Sequence, residues 1–187
     1  AIAPFGSRKA LFGTNPICFG APTSSRVPFI FDASMSIINR GKIRLAAKTK
    51  TKIPKGTALD KKGQPTTNAS KALKGVQLPI AGFRGSGLAW MVDILSGVLT
   101  GSDHSGKVKD PFDDFSGPQN VGHLFIVFKP NLFVGNFRQR IKENIKRIKS
   151  CHWEDEKFFK ENICSLPKGN FKIPKNIYLT SLNYDTG

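Results

Sequence analysis

The stretch Ser86–Leu99 constrains this chain more than any other. Read as a helix, it carries apolar residues around nearly its whole circumference, and a helix that is apolar all round belongs in an interior. Asp93 lies within it and needs a polar partner once buried; a structural hydrogen bond or ion pair is expected there rather than catalysis. Thr100-Gly101-Ser102 ends the helix, with Gly101 suited to the C-cap. Leu88–Leu99 contains Asp93 and falls short of the roughly 20 residues that cross a bilayer, so it is no membrane span. Immediately upstream stands Gly82-Phe83-Arg84-Gly85-Ser86-Gly87. Glycines let backbone amides approach a phosphate at a helix N-terminus, and Arg84 adds a permanent charge suited to one. The same glycines equally serve tight packing of a buried helix, and the residues alone leave both readings open.

The rest of the chain alternates strands and helices. Ile17–Phe19 and Val27–Asp32 read as strands. Ser34–Ala47 reads as a helix capped by Ser34 or Ser36, with Ile37, Ile38 and Leu45 on its apolar face. Lys48–Thr67 is basic, rich in Pro and Gly, and reads as loop with little core; Asp60-Lys61-Lys62-Gly63 is a turn within it. Val76–Pro79 is short and extended. Residues 104–119 are polar loop. Val121–Phe128 is the clearest strand, and Asn131–Lys149 a helix with Phe133, Phe137, Ile141, Ile145 and Ile148 at helical spacing. Glu154–Asn162 continues as helix. This order gives an α/β protein. It is not the doubly wound dinucleotide fold, which needs G-x-G-x-x-G directly after a strand and an acid about twenty residues on.

Charge and cysteine content narrow the function classes. Lys and Arg number 29 against 13 acids, a net charge of +16. Such an excess attracts polyanions, but aromatics do not alternate with the basic residues as a stacking platform requires. A solvated basic surface is expected, and nucleic acid is not the expected partner. Cys18, Cys151 and Cys164 form no disulfide framework. His104, His123 and His152 stand far apart, so no metal site is expected. Cys151-His152 are adjacent but isolated. His123 reads as a structural histidine, which leaves no proton donor for carbonyl reduction in the chain.

Two further segments carry polar groups in suggestive order. Gly13-Thr14-Asn15-Pro16 presents a hydroxyl and an amide, or makes a turn. Phe31-Asp32-Ala33-Ser34-Met35-Ser36 spans a strand-to-helix junction. Asp32 there accepts from a ribose or holds a catalytic partner, or the segment caps the helix.

Taken in order, these segments carry a resemblance. G-T-N-P at 13–16, F-D-A-S-M-S at 31–36, R-G-K-I at 40–43, I-P-K-G-T-A-L-D at 53–60, G-x-P-T-T at 63–67, L-P-I-A-G-F-R-G-S-G-L-A-W-M-V-D-I-L-S-G-V-L-T-G at 78–101 and G-H-L-F-I-V at 122–127 resemble the malate/L-lactate dehydrogenase family. Its relatives include sulfolactate, ureidoglycolate and 2,3-diketogulonate oxidoreductases. The likeness is dense over residues 1–129 and weak over 130–187. It implies one incomplete domain over 1–187, an α/β fold peculiar to that family, and a chain lacking the family's N-terminal helical part. It further implies a cytoplasmic homodimer that uses NAD or NADP to interconvert a small 2-hydroxy acid, of malate or lactate type, and its 2-keto acid.

The resemblance also assigns residues. Asp32, Ala33, Ser34, Met35 and Ser36, together with Phe83 and Arg84, match cofactor-binding positions. Gly169 and Asn170 fall in Leu166–Asn170, where the family has L-P-G-E. Thr14, Arg40 and Gly41 match substrate-facing positions, and Lys42 stands where some members have an acid. The family's proton-donor His, in a Ser-His-Gly segment with a nearby Arg, precedes G-T-N-P in its members, so no catalytic residue is expected within these residues. Two rival readings are a truncated non-catalytic relative and a basic polyanion-binding protein.

Overall fold

The computed structural model describes residues 1–24, 28–110 and 114–150. The chain divides into two units, residues 1–141 and 142–187. Of the second unit, only the last turns of one helix fall among the described residues, and the expected helix at 154–162 lies outside them.

The architecture is mixed α/β. Strands β1 (Ile17–Ala21) and β2 (Phe29–Ala33) pair antiparallel, with Cys18 opposite Asp32. Strands β3 (Ala58–Leu59) and β4 (Val76–Gln77) form a second antiparallel pair. The helices are α1 (Arg40–Lys48), α2 (Ala69–Leu73), α3 (Phe83–Asp93) and α4 (Phe137–Ser150). The N-terminal segment is stitched to β4: the Ala3 amide donates to the Gln77 carbonyl at 3.1 Å, and the Ile2 amide to the Phe12 carbonyl at 2.8 Å.

Helix α1 starts later than its sequence suggests. Asn39, not Ser34 or Ser36, is its cap: the side-chain oxygen accepts from the Lys42 amide at 2.8 Å. Residues 34–38 stay out of the helix because their backbone bonds elsewhere, the Ile37 amide reaching the Leu78 carbonyl at 3.0 Å. Asn68 caps α2 in the same way through the Lys71 amide at 2.9 Å. This short helix has too few turns to show a period and went unread in the sequence. Its Ala69 and Ala72 present little bulk, and they pack with Ile38 and Ile43 into one core.

Ile53 and Ala58 belong to that same core, and Leu59 packs with Ala3 and Val76 in another. The Lys48–Thr67 stretch is therefore not the core-free loop expected; its scattered apolar residues turn inward while its lysines face water. The Asp60 turn is present as expected, with the Asp60 carboxylate accepting from the Lys62 amide at 2.8 Å and the Gln64 amide at 3.0 Å.

The Val121–Phe128 segment forms no strand among the described residues. Phe125, Ile126, Val127 and Phe128 are all exposed. A strand needs a neighbour to satisfy its amides and carbonyls, and none of the described strands lies beside it.

Asn39→Ala is expected to cost about 1 kcal/mol, the usual loss of an N-cap, and Ile43→Ala about 3 kcal/mol from its buried site; denaturant titration followed by circular dichroism measures both. The Asp60 carboxyl is held below its ordinary value of 3.8, first by the amide of Gln64; desolvation, the next largest influence, opposes this, and the Lys62 amide and the Lys71 and Lys62 charges add to the lowering. A depressed folded-state value means the turn's contribution is present above pH 3.8 and is lost as pH falls through the folded-state value. Asp60→Asn should flatten that part of an acid-unfolding titration.

Candidate functional site

The three segments singled out in the sequence meet around Met35. Its amide donates to the Thr14 carbonyl at 2.7 Å, and its carbonyl accepts from the Ile80 amide at 3.0 Å. Its side chain is 1% exposed and packs with Ile2, Phe12 and Ala89. Asn15 crosses to the third segment, donating through Nδ2 to the Ala89 carbonyl at 2.8 Å. Asn15 adopts φ of 39°, a left-handed conformation that Asn tolerates better than most residues. Its role as a tie was hidden by the turn chemistry that Asn-Pro also serves.

Ser36 is buried beneath this junction. Its hydroxyl lies 3.0 Å from that of Ser34 and 3.4 Å from Gln77 Nε2, which also donates to the Ile38 carbonyl. Gln77 is 2% exposed, and its Oε1 has no partner among the described residues. Sequence reasoning missed Gln77, although a polar residue between Val76 and Leu78 in an extended apolar run was the available signal. Met35 and Ser36 thus support the segment from below. Asp32 is exposed on β2, and Ala33 and Ser34 are half-buried.

Helix α3 opens at Gly82, which has φ of 58° and makes no side-chain cap. Its first turn contains no acid. Phe83 and Arg84 are exposed there, the Arg84 guanidinium carbon 5.5 Å from the Phe83 ring centre. Phe5 meets Phe83 edge to face at 6.3 Å, and the Phe5 amide donates to Ser86 Oγ at 2.6 Å. Gly85 is a packing residue: a Cβ there would stand 1.8 Å from the Ile80 carbonyl oxygen. The expectation of tight packing holds for Gly85, while the uncapped helix start leaves first-turn amides without side-chain partners.

The substrate-facing candidates separate. Thr14 sits in the junction, half-buried, with its carbonyl committed to Met35. Arg40 opens α1 and turns toward the end of α2, donating through Nη2 to the Leu73 carbonyl at 3.4 Å while its buried Nε lacks a partner. Gly41 is exposed on α1. Gly169 and Asn170 lie outside the described residues, as do Cys151, His152 and Cys164. Among the described residues no group of three or more His, Cys, Asp or Glu side chains gathers to hold a metal, and no helix is long and apolar enough to cross a membrane.

Asp93 finds the structural partner expected of it. It accepts from the Ser105 amide at 3.0 Å and the Ser105 hydroxyl at 3.2 Å, fastening the loop after α3. His123 departs from expectation: it is exposed, its ring 6.3 Å from that of Phe125, and the segment carrying it has no strand partner among the described residues.

The family model described as malate/L-lactate dehydrogenase matches residues 1–157. A (2R)-3-sulfolactate dehydrogenase (NADP(+)) of Chromohalobacter salexigens is 38% identical over 142 residues, 76% of this chain and 43% of that protein. Delta(1)-pyrroline-2-carboxylate reductase 1 of Burkholderia ambifaria is 43% identical over 136 residues, 72% of this chain and 40% of that protein. Among solved structures, the sulfolactate dehydrogenase of Methanocaldococcus jannaschii superimposes with a TM-score of 0.74 at 36% identity, over 83% of this chain and 45% of that one. The chain thus spans less than half the length of these relatives.

Gly85→Ala should disrupt the contact with Ile80 and lower the thermal midpoint by several degrees, since a methyl cannot fit without backbone movement. Asp93→Ala should destabilise by about 1–3 kcal/mol by leaving the Ser105 amide unpaired. Thermal unfolding of both variants checks these values, and an unchanged midpoint for Gly85→Ala would refute the packing role.

Proposed function

The chain belongs to the malate/L-lactate dehydrogenase family, and from that premise we propose that it carries part of the site of an NAD(P)-dependent oxidoreductase acting on a small 2-hydroxy or 2-imino acid. The observation that carries this reading is the start of α3: a helix N-terminus without a side-chain cap, without an acid in its first turn, and with exposed Arg84 beside it. Those features suit the anionic part of a dinucleotide. Related proteins named for sulfolactate and for pyrroline-2-carboxylate share a substrate pattern, a carboxylate next to the carbon that changes oxidation state. Malate or lactate fits the same pattern.

When bound, a nicotinamide cofactor supplies the hydride acceptor or donor. Arg84, with Phe83 beneath its guanidinium, holds the anionic groups. Exposed Asp32 accepts hydrogen bonds from a sugar hydroxyl, with Ser34 beside it, while Ala33, Met35 and Ser36 keep that turn in place. The family resemblance further assigns Gly169 and Asn170 to the cofactor. Thr14 orients the substrate through its hydroxyl, which makes no hydrogen bond among the described residues, and Arg40 and Gly41 border the substrate side. The proton exchanged with the substrate oxygen or nitrogen comes from a His outside these residues. The working enzyme is a cytoplasmic homodimer.

Two outcomes test this. Titration of NADPH fluorescence with the chain should show binding that Arg84→Ala weakens by about tenfold, the loss of one charge-assisted contact; equal affinity would sink the assignment of Arg84. The 187-residue chain assayed alone with NAD(P)H and 2-keto acids should show no turnover. Joining it to the preceding segment of the Chromohalobacter salexigens enzyme should restore turnover. Silence after that addition would favour a non-catalytic relative.

A further inference from the structure

Gln77 is the most deeply buried polar side chain among the described residues. Its backbone is occupied on both sides: the amide donates to the Ala1 carbonyl at 3.3 Å, and the carbonyl accepts from the Ala3 amide. The side chain then reaches Ser36 and Ile38, which stand 41 and 39 residues earlier in the chain. Chemistry fixes which way its amide faces. A backbone carbonyl only accepts and an amide nitrogen only donates, so the atom against the Ile38 carbonyl is Nε2. The flipped amide would set two oxygens together. The side chain is thus held by its nitrogen, while Oε1 has no partner among the described residues.

The direction of the neighbouring hydrogen bonds follows. One Nε2 hydrogen goes to Ile38 and the other to Ser36 Oγ, 3.4 Å away. Ser36 thereby accepts, and its own hydrogen is free to donate to Ser34 Oγ at 3.0 Å. Ser34, accepting in turn, has its hydrogen turned away from Ser36. It is half-buried and has no other hydrogen-bond partner among the described residues. Two serines alone can share their bond in either direction. The buried amide removes that choice, and each bond in such a row polarises the next.

We infer that Gln77 is a positioning residue for cofactor binding: acting through Ser36, it sets Ser34 as a hydrogen-bond donor toward an acceptor oxygen of the dinucleotide. The inference rests on the cofactor reading of residues 32–36. Asp32, as a carboxylate, only accepts. The turn therefore offers one donor and one acceptor, the complement of a group that carries both, as a carboxamide or a sugar diol does.

Titration of NADPH fluorescence with the 187-residue chain and its variants tests this. Ser34→Ala should weaken binding about fivefold, the loss of one hydrogen bond. Ser36→Ala and Gln77→Met should each weaken it by a similar factor, although both side chains lie beneath the turn. In a Ser34→Ala background neither should weaken it further, because the donor they orient is gone. A loss that came only from displacing the turn would persist in that background, since Asp32 would still be moved. Gln77→Met leaves the Ile38 carbonyl unpaired and should lower the thermal midpoint. Ser36→Ala keeps that bond, and it carries the test if Gln77→Met does not fold. Full NADPH affinity in Ser34→Ala or Ser36→Ala overturns the inference while leaving the cofactor reading in place, and so do equal losses with and without the Ser34 hydroxyl. Failure of the unsubstituted chain to bind NADPH overturns both.

Discussion

Met35 is the knot on which the described fold depends. Through its amide and carbonyl it joins the Thr14 turn to the segment before α3, and its buried side chain closes the core between them. These three stretches are far apart in the chain, so their meeting costs loop-closure entropy that local contacts cannot return. Backbone bonds in a water-free setting offset that cost, and they also fix direction. With Met35 committed on both sides, Asp32 and Ser34 are left at the rim while Ser36 is drawn underneath. Placement of polar groups at the candidate site follows from which backbone atoms are occupied.

Among the described residues, helix α3 is anchored from one side. Gly85 lets it lie against the Ile80 carbonyl, Asn15 reaches its middle through the Ala89 carbonyl, and Asp93 ties its end to Ser105. Beyond Asp93 the backbone widens into a π-helical turn, Ile94–Val98, with the Leu99 amide reaching back to the Ile94 carbonyl at 2.8 Å. Such turns are rare and often accompany functional regions. The start of α3 carries no side-chain cap and exposes Arg84, and its apolar side exposes Trp90.

Several features were legible in the sequence because they depend on neighbours only. The Asp60 turn, the strands at Ile17 and Phe29, the helix after Gly82 and the need of buried Asp93 for a partner follow from local spacing, turn chemistry and the cost of an unpaired carboxylate. The start of α1 was not legible. Ser34 and Ser36 have cap chemistry equal to that of Asn39, and only the bonds of Met35 and Ile37 to distant segments decide among them. Ile53 and Ala58 were hidden for a similar reason, since burial of isolated apolar residues in a basic stretch depends on α1 and α2 closing over them.

Apolar periodicity determined that α3 needs cover on every side, and the ordered motifs determined the family, because both are properties of residue order. Which sides are covered was decided only in three dimensions. Periodicity states how much surface must leave water, not whether the covering atoms lie within these residues. The sequence likewise supplied Asp32, Arg84 and Thr14 as polar candidates. Tertiary structure alone separated exposed Arg84 from Arg40, whose guanidinium is turned onto the Leu73 carbonyl, since a charged side chain's availability is set by the acceptors that folding brings within its reach.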